Sequence, residues 1–154
     1  MCHNFEEASD VADRVAIMNE GSIVQIGTLK NIIESPKNEF VARFVKSQNI
    51  FRGTSDGQRI KIGSISIEKK NPIKGDATIV IRPENITIHK SSNNGGENTF
   101  YGIVKYIKPK PYFTEIVVDI GLPIIIYSMD NKNLSKDDEI IVKIPSEKVV
   151  VINR

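Results

Sequence analysis

Tryptophan is absent from the 154 residues, cysteine occurs once, at Cys2, and histidine appears only at His3 and His89. A single thiol excludes an internal disulfide framework. One cysteine and two histidines are also too few for a tetrahedral zinc site made of those residues alone. No run of about 18 apolar residues occurs, and the first residues lack the basic, then apolar, then small-residue order of a signal peptide, so neither a membrane span nor a leader is expected. Excess charge is lacking too: 21 Lys and Arg against 19 Asp and Glu leave a net +2, too weak for a general nucleic-acid binder. The remainder is 40% hydrophobic and 26% charged, a composition for one ordinary domain or two small ones in a reducing, cytosolic compartment.

The two halves differ in charge and in period. Residues 1–48 carry 5 basic and 7 acidic side chains, and residues 49–154 carry 16 and 12. In the first half, Phe5, Ala8, Val11, Ala12 and Val15 recur three or four apart, and Asn4 with Glu7 has capping-box spacing, which predicts a helix over 5–13. The segments 14–18 and 22–26 flank Asn19-Glu20-Gly21 and read as a β-hairpin. Thr28 caps a short helix over 29–34. Ser35-Pro36 precedes Phe40, Val41, Phe44 and Val45, whose spacing predicts a second helix over about 37–46.

From Gly53 onward the period is two. Segments 59–69, 77–82, 86–89, 99–107, 114–120, 123–128, 139–144 and 148–152 are short, β-branched and bounded by turn residues. So many strands in about a hundred residues predict a small closed or nearly closed barrel, because closure protects the edges. Residues 47–57 read as a linker and 91–98 as a flexible connection. No internal repeat at a fixed period stands out.

The order Cys2-His3-Asn4-Phe5-Glu6-Glu7-Ala8, then Ala12-Asp13-Arg14-Val15, then Gly21-Ser22-Ile23-Val24-Gln25-Ile26-Gly27 resembles the end of an ABC-transporter ATPase domain. The remainder, with Arg82-Pro83-Glu84, the segment 99–107 and the strands at its end, is similar to the TOBE or molybdate-binding-protein-like barrel appended to ATPases that import molybdate, tungstate or sulfate. The resemblance implies two parts. Residues 1–48 would be an α+β remnant of the ATPase C-terminal subdomain, and residues 49–154 an all-β, OB-like TOBE barrel with a regulatory and assembly role. In the resembled systems the barrel mediates contacts between two ATPase subunits and senses the transported anion. The implied partners are therefore a second ATP-binding subunit, as a homodimer through the barrel, a membrane permease and an oxyanion. The implied location is cytoplasmic, peripheral at the inner face of the membrane.

By the same resemblance His3 is the switch histidine that positions the γ-phosphate and the attacking water, a role that requires the rest of the ATPase site. Asn4 stands where the family has Asp and can still cap the following helix. The sequence has no G-x-x-x-x-G-K-[S/T] loop, no apolar strand ending in Asp-Glu and no Ser-Gly-Gly signature segment. The chain is accordingly expected not to be an enzyme on its own, to bind no cofactor itself, and to meet ATP and magnesium only through an ATPase core. It reads as the C-terminal part of a longer ATPase, a split subunit or a truncated product. Glu6 and Glu7, adjacent on a helix, read as first-turn residues rather than an acid–base pair.

Oxyanion binders of the resembled kind use a Ser-Ala-Arg-Asn entry to a strand and a Lys-x-Thr-Ser stretch near the end. The positions here are Gly95-Gly96-Glu97-Asn98 and Pro145-Ser146-Glu147-Lys148, which makes Asn98, Ser146 and Lys148 the candidate anion ligands, with Glu97 and Glu147 opposing them. The competing reading of Ser146–Lys148 is an ordinary turn. Arg82-Pro83-Glu84 reads as a strand-ending turn. The alternating Lys105, Tyr106, Lys108, Lys110, Tyr112 and Phe113 raise an OB-like nucleic-acid module as a rival, although Pro109 and Pro111 make that stretch a loop. A free-standing small-oxyanion-binding barrel is the nearer alternative.

Overall fold

The computed structural model describes residues 13–90, 95–130 and 133–153. His3, the cap Asn4 and all but Asp13 of the helix expected over 5–13 lie outside them. The described chain is mostly β, with few helices.

Strands β1 (Val15–Asn19) and β2 (Ser22–Gly27) form the expected hairpin. Its two-residue turn has Glu20 at φ 51° and Gly21 at φ 79°, the left-handed pair that matches strand twist. Helix α1 (Leu29–Glu34) starts at Thr28, whose hydroxyl accepts from the Asn31 amide. Helix α2 (Glu39–Phe44) is capped by Asn38, whose side chain accepts from Val41 N–H at 2.9 Å. The helix expected over 37–46 is therefore shorter, because Asn38 competes for the capping position that Ser35-Pro36 suggested. Gln25 holds the link between the helices by donating to Ser35 O and accepting from Lys37 N–H. Ile17, Ile32, Val41 and Val45 form the small core of this part.

The remaining strands build two five-stranded antiparallel sheets around one core. In chain order they are β3 (Ile50–Asp56), β4 (Arg59–Ile62), β5 (Ile65–Glu68), β6 (Lys74–Ile81), β7 (Thr87–His89), β8 (Thr99–Pro109), β9 (Thr114–Asp119), β10 (Pro123–Ser128), β11 (Glu139–Lys143) and β12 (Val149–Asn153). The first sheet runs β12-β6-β3-β4-β5 and the second β10-β9-β8-β11-β7. Two expectations change here. Residues 50–56 are not a linker but a strand paired with β4 and β6. Their turn-like composition disguised an alternation in which Ser55 is buried and Arg52 and Thr54 are exposed. Residues 59–69 are not one strand but a β4–β5 hairpin turned at Gly63, which lies at φ 55°.

The order of elements repeats. β3-β4-β5-β6, a 3-10 turn (Pro83–Asn85) and β7 are followed by β8-β9-β10-β11, a 3-10 turn (Ser146–Lys148) and β12. Each unit gives its last strand away: β7 pairs with β11 and β12 with β6. The sequence carries the repeat as Asn49-Ile50-Phe51-Arg52-Gly53 and Asn98-Thr99-Phe100-Tyr101-Gly102. Copies lie 49 residues apart at the asparagines and 63 apart at the 3-10 turns, because the second unit has a longer first hairpin and a longer loop before β11. That drift conceals the repeat from a search for a fixed period. Both glycines are packed so tightly that a Cβ would lie 2.5 Å from Lys61 O at Gly53 and 2.6 Å from a Val118 methyl at Gly102.

Alternation places Ile60, Ile67, Ile79, Val104, Val118 and Ile140 inside, between the sheets. The outer face of the first sheet is covered by α2, where Ala42 packs on Val80 and Ile152, with Ile50 and Val150 alongside.

Candidate functional site

Asn98 sits immediately before β8 with φ 55° and is 6% exposed. Its side-chain Oδ1 accepts from Glu68 N–H at 2.7 Å and its Nδ2 donates to Glu68 O at 2.9 Å. The Asn98 carbonyl accepts from Ile144 N–H at 3.0 Å. A primary amide thus completes the edge of β5 as a neighbouring strand would, joining the second unit to the first sheet. Asn49 does the same in the other direction. It lies at φ 55°, is 8% exposed, and bonds Ile125 N–H at 2.8 Å and Ile125 O at 2.7 Å. Its carbonyl accepts from Ile81 N–H. Asn tolerates the left-handed backbone better than most residues, which is one reason the position takes this residue type.

Around Asn98 lies a shallow cavity of about 460 Å3 lined by Arg59, Glu68, Glu97, Thr99 and Phe100 among others. The Thr99 hydroxyl is buried there without a partner. Arg59 forms a 2.7 Å ion pair with Glu68, so the cation that suits an anion is already neutralised, and Glu97 adds a further negative charge. Ser146 and Lys148 open and close the 3-10 turn between β11 and β12. Lys148 lines a different cavity, of about 750 Å3, with Lys30, Arg82, Glu84 and Glu147. Arg82 binds Glu84 at 2.8 Å and reaches Ile33 O at 3.4 Å, tying the turn after β6 to α1. The two cavities place Asn98 and Lys148 apart, while the Asn98–Ile144 bond brings the Asn98 loop to the strand that leads into Ser146. Arg59, Thr99 and the Asn49 counterpart were missed in the sequence, although the repeated Asn-x-Phe-x-Gly string carries the signal for Asn49.

Of the basic-aromatic stretch, Phe113 packs against Tyr127 with tilted rings whose centroids are 4.3 Å apart, and Lys110 N–H closes the turn onto Phe113 O. Tyr106 belongs to β8, and Tyr112 is 87% exposed at the turn. Burial raises the Tyr127 hydroxyl above its ordinary pKa, with Glu115 and Glu84 adding to it. Among the described residues no group of three His, Cys, Asp or Glu side chains is placed to hold a metal ion, and no helix is long and apolar enough to cross a membrane.

No family model matches the sequence. The fold is nevertheless that of a small molybdate-binding-protein-like barrel. A molybdate-bound crystal structure of the cytoplasmic molybdate-binding protein ModG superposes with a TM-score of 0.56 and 16% identity, covering 69% of this chain and 96% of that one. By sequence, the chain is a relative of ABC importer ATP-binding subunits. It is 35% identical over 120 residues to the molybdate/tungstate import ATP-binding protein WtpC of Pyrococcus horikoshii, covering 77% of this chain and 35% of that protein. It is 30% identical over 155 residues to the Fe(3+) ions import ATP-binding protein FbpC of Fusobacterium nucleatum, covering 97% of this chain and 42% of that protein. The chain therefore spans well under half the length of these relatives.

Proposed function

We propose that the chain serves as the C-terminal part of an ABC importer ATP-binding subunit for an oxyanion such as molybdate or tungstate. Residues 1–48 would be the end of the ATPase domain and residues 49–154 a TOBE-like regulatory barrel. The observation that carries this reading is the 120-residue match to the molybdate/tungstate subunit. A second feature agrees with it. On the hairpin, Ala16 faces Ile26 and Met18 faces Ile23, and Met18, Ile23 and Ile26 are each more than half exposed, while the opposite face is buried against α1 and α2. An apolar sheet face of this kind needs a cover, and the rest of an ATPase domain, which the longer relatives have room for, is the proposed one.

In that assembly the ATPase core supplies phosphate and magnesium binding, His3 positions the γ-phosphate, and the barrel links the subunit to a second copy beside a membrane permease at the cytoplasmic face. Alone, the chain neither binds nor hydrolyses ATP. Co-expression with the remaining portion of the Pyrococcus horikoshii relative tests the reading. It should give a stable complex with magnesium-dependent ATP hydrolysis that His3→Ala abolishes and that Met18→Lys fails to assemble. A chain that never associates with that portion refutes it.

A free-standing oxyanion binder is favoured by the fold alone, which covers nearly the whole of a molybdate-binding protein. Calorimetry separates the two readings. With Glu97 and Glu147 beside Asn98 and Lys148, molybdate, tungstate and sulfate should bind weakly or not at all. Sub-micromolar binding lost in Lys148→Ala would favour the free-standing reading.

A further inference from the structure

The two units of the barrel share a fold but not an outer surface, and the differences follow what covers each. Where α2 lies on the first sheet, the outward residues Val80 and Val150 are apolar, and the same places in the second sheet hold Lys143 and Thr87, with no helix over them among the described residues. At the other end of the sheets the pattern reverses. Equating the two asparagine clamps and the two pairings of β3–β4 and β8–β9 matches Arg52 with Tyr101, Thr54 with Ile103, Arg59 with Val117 and Glu68 with Ile125. At these four outward positions a polar or charged residue of the first unit is replaced by an aliphatic or aromatic one in the second, whereas the adjoining pair, Lys61 and Asp119, is charged in both. Val117 lies between Ile125 and Tyr106 in one cross-strand row. Tyr101 and Tyr106 are about half exposed, and none of Ile103, Val117 or Ile125 belongs to a core cluster.

We propose that this outer face of β8, β9 and β10 is where a second copy of the chain docks, sheet against sheet. The proposal rests on the reading that the barrel pairs two subunits, and it names the surface. The occupant follows from the charge around the apolar row. The β8 side carries Lys105 and Lys108, and the β9 side carries Glu115 and Asp119, with Lys108 directly across from Glu115. A two-fold axis lying in the interface, parallel to the strands and between β8 and β9, exchanges these two sides. It sets Val117 against Tyr106 of the second copy and Glu115 against its Lys108, so the face is complementary to itself. A partner of a single charge sign would meet one side and be repelled by the other.

Sedimentation of the full chain tests this without ATP or an ATPase core. The parent should be a dimer. Lys108→Glu and Glu115→Lys each place like charges across the axis twice and should weaken self-association by tenfold or more, with circular dichroism and melting temperature close to the parent's. Mixing the two variants sets two acidic side chains, at 108 and 115 of one copy, against two basic ones at the same positions of the other and should restore a one-to-one dimer. A monomeric parent, unchanged dimerisation in both variants, or a mixture that stays monomeric overturns the proposal. A monomer that still assembles with the ATPase portion defeats this surface and leaves the proposed function standing. A dimer that ignores the ATPase portion does the reverse.

Discussion

Replacing Asn98 with alanine removes two hydrogen bonds at 2.7 and 2.9 Å and leaves Glu68 N–H and O without their partner at the edge of β5. Each such bond is worth about 1 kcal/mol net, and a buried donor left unpaired costs about 1–3 kcal/mol. Alanine also has no side-chain polar group to offset the left-handed backbone at φ 55°, a further penalty of about 1 kcal/mol. Because Glu68 is only partly buried, water recovers some of the loss, and the expected destabilisation is about 2–4 kcal/mol. For a domain of about a hundred residues this lowers the melting temperature by about 10–20 °C. Asn98→Gly restores the backbone freedom and should recover part of it, which separates the conformational contribution from the hydrogen bonds. Thermal unfolding by circular dichroism measures both variants. If Asn98 serves chiefly as an anion ligand, alanine would leave the melting temperature within about 2 °C of the parent and change only anion binding, and the clamp argument would fail. Asn49→Ala should reproduce the loss, since its bonds to Ile125 are of the same kind.

Gly53→Ala drives a Cβ against a backbone carbonyl at 2.5 Å, whereas Gly102→Ala meets side-chain methyls at 2.6 and 3.0 Å. Urea unfolding should show both destabilised, Gly53→Ala more, because a main-chain atom cannot rotate away. Ala42→Leu overfills the fully buried seam with Val80 and Ile152; hydrogen exchange should quicken in α2 while the amides of β8–β11 keep their protection. The Asp56 carboxylate accepts from Arg59 N–H and Gln58 N–H, which lowers its pKa below the ordinary aspartate value. Its contribution is present above the unfolded pKa and is lost as pH falls through the lower folded value. An NMR titration should give a midpoint below that of free aspartate, and a midpoint at or above it would contradict the turn geometry.

Local chemistry made much of this protein legible. Glu20-Gly21 announces a hairpin, Thr28 a helix start, and the alternation of isoleucines and valines the barrel strands, because turn geometry, caps and a period of two are written in neighbouring residues. The resemblance to the ATP-binding subunits was legible in the same way, in runs of residue types in order. The strand at 50–56 was not, since its polar outward residues look like a linker until β6 pairs beside them. The exchange of β7 and β12 could not be read either, because which sheet receives a short strand depends on partners far along the chain, as Ile141 is for His89 and Ile81 for Val149. The sequence alone contains both copies of Asn-x-Phe-x-Gly, yet only the tertiary structure shows why. An asparagine side chain acts as a strand edge only where another sheet arrives to be bonded, and a glycine is required only where another chain segment closes on it. The outer surface follows the same rule: the apolar row at Val117 is visible in sequence as ordinary β alternation, and only the packed sheets show that this side faces away from the core.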